Sequence, residues 1–259
     1  MAAPGAALSC VIKPLITGAG KYFDDLHFDG MLHVHFVRST VAHGVITGID
    51  TSEAESMPGV LHVWTAKDVD LAPASADMRM LNQAMKFPFL AIDTVRYVGD
   101  LVAMVISEEK AQGVDAAEMV IVDYDPLPAV IDVDESLRGD VILHPEAGTN
   151  VVLTFASDDE RDIFAGCEIV VELTIENNKV ATAPLEVRSV ASRWDGDRLT
   201  QWACSQGAHG ARDGLARVLG VDPANVRVIT PDVGGGFGAK NGVYPDEILV
   251  GWAARRLGR

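Results

Sequence analysis

Apolar positions recur along this chain with two periods, and the second half carries the sharper signals. Over His209–Leu219 the residues Ala211, Leu215, Val218 and Leu219 fall on one face, which predicts an amphipathic helix. Gly220 ends it, and Asp222-Pro223 turns the chain into a short buried strand over Val226–Ile229. Pro245 through Leu257 predicts a further helix. Val190–Trp194 and Arg198–Cys204 flank Asp195-Gly196-Asp197, a hairpin pattern. Upstream, Ile169–Ile175 alternates as a strand would, and Val180 begins another extended run.

From about Thr17 to Val133 short strands and helices take turns. Met31–Val37 is a strand candidate. Val45–Ile49, a helix or turn over Ser52–Met57, and Val60–Trp64 predict one β-α-β unit. Leu101–Ile106, a helix after Ser107, and Met119–Tyr124 predict a second. Asp70–Lys86 has no clear period and reads as a surface loop, while 134–166, rich in Asp, Pro and Gly, reads as a linker. The expected organisation is therefore an α/β unit over 15–133, a linker over 134–166, and an α+β unit over 167–259.

Composition narrows the partners. With 259 residues, 48% hydrophobic and 22% charged, the chain describes a globular protein with ample core. A formal net charge of −16 argues against nucleic acid and anionic membrane surfaces. Met1–Gly5 has no basic n-region, and no apolar run approaches 18 residues, so a cytoplasmic protein is expected. Cys10, Cys167 and Cys204 are too scattered for a metal cluster or a disulfide framework. His33 and His35 have ligand-like spacing but no third ligand nearby, so a structural role is expected and no metal ligands are assigned. Asp24-Asp25 and Asp123-x-Asp125 read as solvated turns.

The chemistry concentrates at Gly234-Gly235-Gly236-Phe237-Gly238-Ala239-Lys240-Asn241, a loop almost free of side chains between a strand and a helix. Such units often bind an anion through backbone N–H groups, and otherwise serve as tight turns. Ala239 and Asn241 stand where a P-loop needs Gly and Ser or Thr. A dinucleotide fingerprint is not supplied cleanly either. Lys240 is the cation beside the loop, and Gln206, at a strand end near a helix start, offers two donors and an acceptor.

Taken in order, several segments resemble the large, molybdenum-cofactor-binding subunit of the xanthine dehydrogenase, aldehyde oxidase and aerobic carbon monoxide dehydrogenase family. Leu15 through Asp25 is similar to the family's opening. Met57-Pro58-Gly59-Val60 and Val95 through Asp100 are similar to its hammerhead-shaped α/β domain. Pro184-Leu185-Glu186, Gln206 and Gly234 through Lys240 are similar to its first cofactor-binding segment. The resemblance implies a hammerhead-type α/β domain followed by an incomplete cofactor-binding α+β domain. It implies molybdopterin with molybdenum, carried as a dinucleotide, and hydroxylation of an aldehyde or heterocycle with oxygen from water. By position, Gln206 would contact the oxo side of the metal centre, and Gly235, Gly236, Phe237 and Gly238 would set backbone against the metal ligands. The pterin's sulfurs bind the metal, which accounts for the missing Cys and His cluster. The remaining part of the large subunit and FAD-binding and 2Fe-2S subunits are the implied partners.

Three departures qualify the resemblance. Asn241 stands where the purine hydroxylases carry a substrate-holding glutamate, so a purine is not expected. The family's cysteine-bearing active-site loop and its glutamate base would both lie beyond Arg259, so no catalytic residue is assigned and the isolated chain is expected to be inactive. Val11-Ile12-Lys13-Pro14 replaces the usual basic-acidic signature. The alternative function is a non-catalytic binding or assembly module that keeps the fold.

Overall fold

The computed structural model describes residues 13–75, 79–156 and 162–259. Cys10, the Met1–Gly5 start, Val11-Ile12 and parts of the 70–86 loop and the 134–166 stretch lie outside them. Among the described residues nine strands form three sheets of three. The first sheet has β5 (Leu101–Ser107) between β1 (His33–Arg38) and β3 (Val60–Thr65), with both pairings antiparallel. Every residue of β5 is buried, as a central strand covered on both faces requires. The second sheet has β2 (Gly44–Asp50) between the two-residue β4 (Thr94–Val95) and β6 (Ile121–Pro126), again antiparallel.

The two expected β-α-β units need correcting here. Helix α1 (Ser52–Ser56) connects β2 to β3, and α2 (Lys110–Glu118) connects β5 to β6, but each connection crosses from one sheet to the other. The elements occur where periodicity puts them, and their strands find antiparallel partners far away in sequence, such as His33 opposite Ser107. Asp123 and Asp125 lie on β6 rather than in a turn.

The stretch that reads as a linker holds a short helix, α3 (Val133–Arg138), capped by the Asp132 carboxylate, which accepts from the Glu135 N–H at 2.9 Å. Arg96 Nε donates to the Leu143 carbonyl at 2.8 Å, and Asn150 bonds both Leu143 and Val141, so these residues are tied to the first half.

The third sheet follows. An antiparallel hairpin, β7 (Val190–Asp195) and β8 (Arg198–Ala203), turns at Gly196, whose φ is +56°. Helix α4 (Ala208–Leu219) leads to β9 (Val226–Ile229), which pairs parallel with β8. Helix α5 (Pro245–Leu257) packs on β7, with Trp194 Nε1 donating to the Gly251 carbonyl at 2.8 Å. The expected strand over Ile169–Ile175 and the extended run from Val180 are not strands: residues 162–189 carry no strand or helix. Alternation makes a strand possible, but no described strand pairs with them to form a ladder.

One apolar core runs through both halves. It joins Trp64, Leu101 and Met104 of the first half to Leu199, Leu215 and Trp252 of the second. Trp64 and Trp252 meet edge to face at 5.1 Å between centroids, and the Trp252 indole donates to Asp70 Oδ1 at 2.6 Å.

Candidate functional site

The glycine loop leaves the end of β9 and returns toward α5, so a strand end and a helix start fix its two sides. Its backbone explains its composition. Gly235 and Gly238 have φ of +95° and +87°, and Phe237, at +51°, is the sole non-glycine at positive φ among the described residues. Gly234 and Gly236 are held by space instead. A Cβ on Gly234 would stand 2.7 Å from Glu186 Cβ, and one on Gly236 would stand 2.5 Å from Gln206 Oε1. Phe237 turns its ring outward and is 73% exposed.

Gln206, between β8 and α4, clamps this loop. Its Oε1 accepts from the N–H groups of Gly238 at 3.0 Å and Lys240 at 3.3 Å, and its own N–H donates to the Lys240 carbonyl at 2.9 Å. The structure thus brings Gln206, Gly236 and Gly238 together across about 30 residues of sequence. Its Nε2 bonds no described residue. Beside it, α4 begins at Gly207 without a side-chain cap, so its first N–H groups are open to an acceptor. A Cβ at Gly207, Gly210 or Gly238 would meet nothing within 4 Å, so the backbone is open at these three positions.

Sequence reasoning missed the support beneath the loop. Glu186 Oε2 accepts from the Gly234 N–H at 2.7 Å and from Lys240 Nζ at 3.0 Å, while Oε1 accepts from the Phe23 N–H at 3.3 Å. Burial pushes this carboxyl upward, but the Gly234 N–H, the Lys240 ammonium and the Phe23 N–H outweigh it and hold it below the usual range. Beside the pair, Cys204 is buried, and burial together with Glu186 pushes its thiol up to about 12. It is neutral at physiological pH and cannot serve as a thiolate. Glu186 and Lys240 are 54 positions apart, with no short-range pattern to link them.

A second charged cluster opens α5. The Arg188 guanidinium lies 3.6 Å over the Tyr244 ring and grips Asp246 with bonds of 3.2 and 3.0 Å. Glu247 is buried 3.7 Å from Arg188. Burial and then the neighbouring Asp246 charge raise its carboxyl to about 7, although Arg188 opposes them. Among the described residues no three His, Cys, Asp or Glu side chains converge as metal ligands. No described helix is long and apolar enough to cross a membrane.

Residues 17–128 match the family model of the aldehyde oxidase and xanthine dehydrogenase a/b hammerhead domain, and residues 143–259 match that of the molybdopterin cofactor-binding domain. The chain belongs to the molybdenum hydroxylase large-subunit family. It is 40% identical over 252 residues to the nicotine 6-hydroxylase large subunit of Paenarthrobacter nicotinovorans, an overlap of 94% of this chain and 31% of that one. It is 34% identical over 263 residues to the carbon monoxide dehydrogenase large chain of Hydrogenophaga pseudoflava, covering 94% and 32%. Among solved structures, quinoline 2-oxidoreductase from Pseudomonas putida 86 superposes with a TM-score of 0.84 at 32% identity, covering 96% of this chain and 33% of that one. The chain spans about a third of the length of these relatives. The α/β fold of a hammerhead domain followed by cofactor-binding-domain sequence is thereby accounted for. An open glycine loop, an uncapped helix start and a free carboxamide donor fit a molybdopterin, which brings its own metal-binding sulfurs and needs donors for its oxygens and phosphates.

Proposed function

We propose that this chain supplies one wall of the molybdopterin site of a molybdenum hydroxylase large subunit. The supporting observation is the clamp of Gln206 on Gly238 and Lys240, which holds a carboxamide donor against a loop of exposed backbone. In this reading the cofactor is a molybdopterin dinucleotide, and Gln206, Gly235, Gly236, Phe237 and Gly238 are the residues that hold it. When bound, it supplies the redox chemistry that hydroxylates a substrate with oxygen from water. Gln206, whose Oε1 is taken up by the loop, would turn its Nε2 donor to an acceptor oxygen of the cofactor. The N–H groups of Gly235, Gly236 and Phe237, which the clamp leaves unused, and the α4 start would bind anionic groups, and the glycines let the cofactor approach the backbone closely. Glu186 and Lys240 position the loop without touching the cofactor.

The substrate class is an aldehyde or heterocycle, with Asn241 disfavouring a purine. Activity requires the polypeptide that matches the rest of the relatives' length, and FAD-binding and 2Fe-2S subunits take up the electrons in the cytoplasm. The domain division follows the sequence pattern: 15–133 as the hammerhead unit, 134–166 as the connection, and 167–259 as the first part of the cofactor domain. A buried, multiply charged group needs donors from several sides, and a single wall leaves most of its desolvation uncompensated.

The test is elemental analysis for molybdenum with a dye-linked aldehyde or heterocycle oxidation assay. It is run on the chain alone and on the chain co-produced with the remaining large-subunit polypeptide. Metal and turnover are expected in the assembly only. Stoichiometric molybdenum or turnover in the chain alone would overturn the single-wall reading.

A further inference from the structure

Glu186 holds the entry of the glycine loop, and a separate set of contacts holds its exit. Between Lys240 and α5 the chain turns at Gly242, whose φ is +78°. Val243 then lies against α4, where a Cβ on Gly214 would stand 3.1 Å from Val243 Cγ2. Tyr244 follows, and its carbonyl accepts from the Glu247 and Ile248 N–H groups at 3.1 and 3.2 Å as α5 begins. Its side chain does not cap that helix. The ring turns back to the loop instead, and the hydroxyl donates to the Ala239 carbonyl at 2.9 Å.

That carbonyl and the Lys240 N–H belong to one planar peptide unit. Gln206 Oε1 accepts from its N–H at 3.3 Å, so Gln206 and Tyr244 grip opposite ends of the same group. A peptide plane held at both ends cannot rotate without losing both bonds. The Tyr244 ring is fixed in turn. The Arg188 guanidinium lies 3.6 Å above it and is oriented by two bonds to Asp246, of 3.2 and 3.0 Å. Arg38 of β1 also reaches Asp246, at 3.6 Å, but that side chain is 46% exposed and the contact is weak. Arg188 stands two residues after Glu186. One short segment therefore braces the loop at Gly234 through Glu186 and at Ala239 through Arg188 and Tyr244.

We propose that Tyr244 and Arg188 are positioning residues for the glycine loop. The hydroxyl sets the 239–240 peptide plane against Gln206, and the guanidinium fixes the ring that carries the hydroxyl. The inference rests on reading this loop as the molybdopterin wall. Held in this way, the plane keeps Gln206 Oε1 engaged and leaves Nε2 as the end of the carboxamide that faces the cofactor.

Residue-resolved hydrogen exchange on the intact chain tests it in wild type, Tyr244→Phe, Arg188→Lys and the double variant. Phenylalanine keeps a ring beneath the guanidinium and removes only the hydroxyl. Lysine keeps the charge beside Asp246 and Glu247 and removes the planar face. The Lys240 amide is expected to exchange at least about tenfold faster in Tyr244→Phe than in wild type. Arg188→Lys should accelerate it too, but should add nothing in the Tyr244→Phe background, because it acts through the hydroxyl. The Trp252 and Ala253 amides, buried within α5, should be unchanged in all four proteins. An unchanged Lys240 rate in Tyr244→Phe would overturn the proposal. So would full additivity in the double variant, or acceleration that spreads to Trp252 and Ala253, which would reduce the contacts to packing of α5. In the assembled large subunit, molybdenum occupancy of Tyr244→Phe should fall about threefold, less than the roughly tenfold or more seen when a group that orients a metal ligand directly is lost. Full occupancy would overturn the positioning role. Absence of molybdenum from the wild-type assembly as well would fail the cofactor reading alone, since the exchange measurement needs no cofactor.

Discussion

Lys240 is 1% exposed and sets its ammonium 3.0 Å from Glu186 Oε2, the oxygen that also accepts from the Gly234 N–H. The pair therefore pins the first glycine of the loop and the residue after its last turn to the same carboxylate. Breaking one partner of a buried pair strands the other, which costs about 3–5 kcal/mol. Glu186 keeps some solvent access, so Lys240→Met is expected at the lower end, about 3 kcal/mol, by urea denaturation. The double change with Glu186→Gln should cost less than the sum of the two single changes. A Lys240→Met protein as stable as wild type would show that the pair is ornamental.

The same contact sets an acid limit. The folded Glu186 carboxyl lies below its ordinary value, so the unfolded chain binds more protons as pH falls. Its stabilising contribution is complete above the ordinary glutamate value, about 4.3, and is lost as pH falls through the lower folded value. Glu186→Gln should flatten the acid side of the stability profile, read from thermal midpoints between about pH 5 and 3. An unchanged acid profile would contradict the assignment.

Glu247 has the opposite sign. Its carboxyl is raised to about 7, so between the ordinary glutamate value and neutrality the folded chain holds a proton that the unfolded chain has lost. Stability from this group is full at low pH and falls as pH rises toward 7. Glu247→Gln should match wild type near pH 4 and exceed it by roughly 3 kcal/mol near pH 8. Parallel curves for the two proteins would rule this out.

Gly236 and Gly238 should tolerate alanine for different reasons and to different degrees. A methyl on Gly236 drives into the Gln206 carboxamide, whereas one on Gly238 meets open space but suffers a φ of +87°. Gly236→Ala should therefore cost less in a Gln206→Ala background, with a coupling of about 1 kcal/mol, while Gly238→Ala keeps its backbone strain there. Independent effects of Gly236→Ala and Gln206→Ala in denaturation would contradict the contact.

Much of the second half was legible because its signals are local. Gly220 closes α4, Asp195-Gly196 turns the hairpin, and Pro245 opens α5 where the helix begins. The meeting of Gln206 with the glycine loop was legible only through the family resemblance, since nothing in the spacing brings residues 206 and 238 together. Sheet membership was hidden, because β5 finds its partners in β1 and β3 and nothing along β5 names them. The strand pattern at Ile169–Ile175 predicts a conformation but cannot supply the neighbour that a ladder needs. Glu186 and Lys240 were each visible, and their pairing was not.

The most direct test of the cofactor reading is the molybdenum content of the assembled large subunit carrying Gln206→Glu. The substitution keeps the Oε acceptor for the Gly238 and Lys240 N–H groups and replaces only the Nε2 donor, with a negative charge. A wild-type melting temperature with molybdenum occupancy reduced at least about tenfold is predicted, as a lost hydrogen bond facing an anion is worth about 1.5–3 kcal/mol. Full molybdenum occupancy in the folded Gln206→Glu assembly would contradict it.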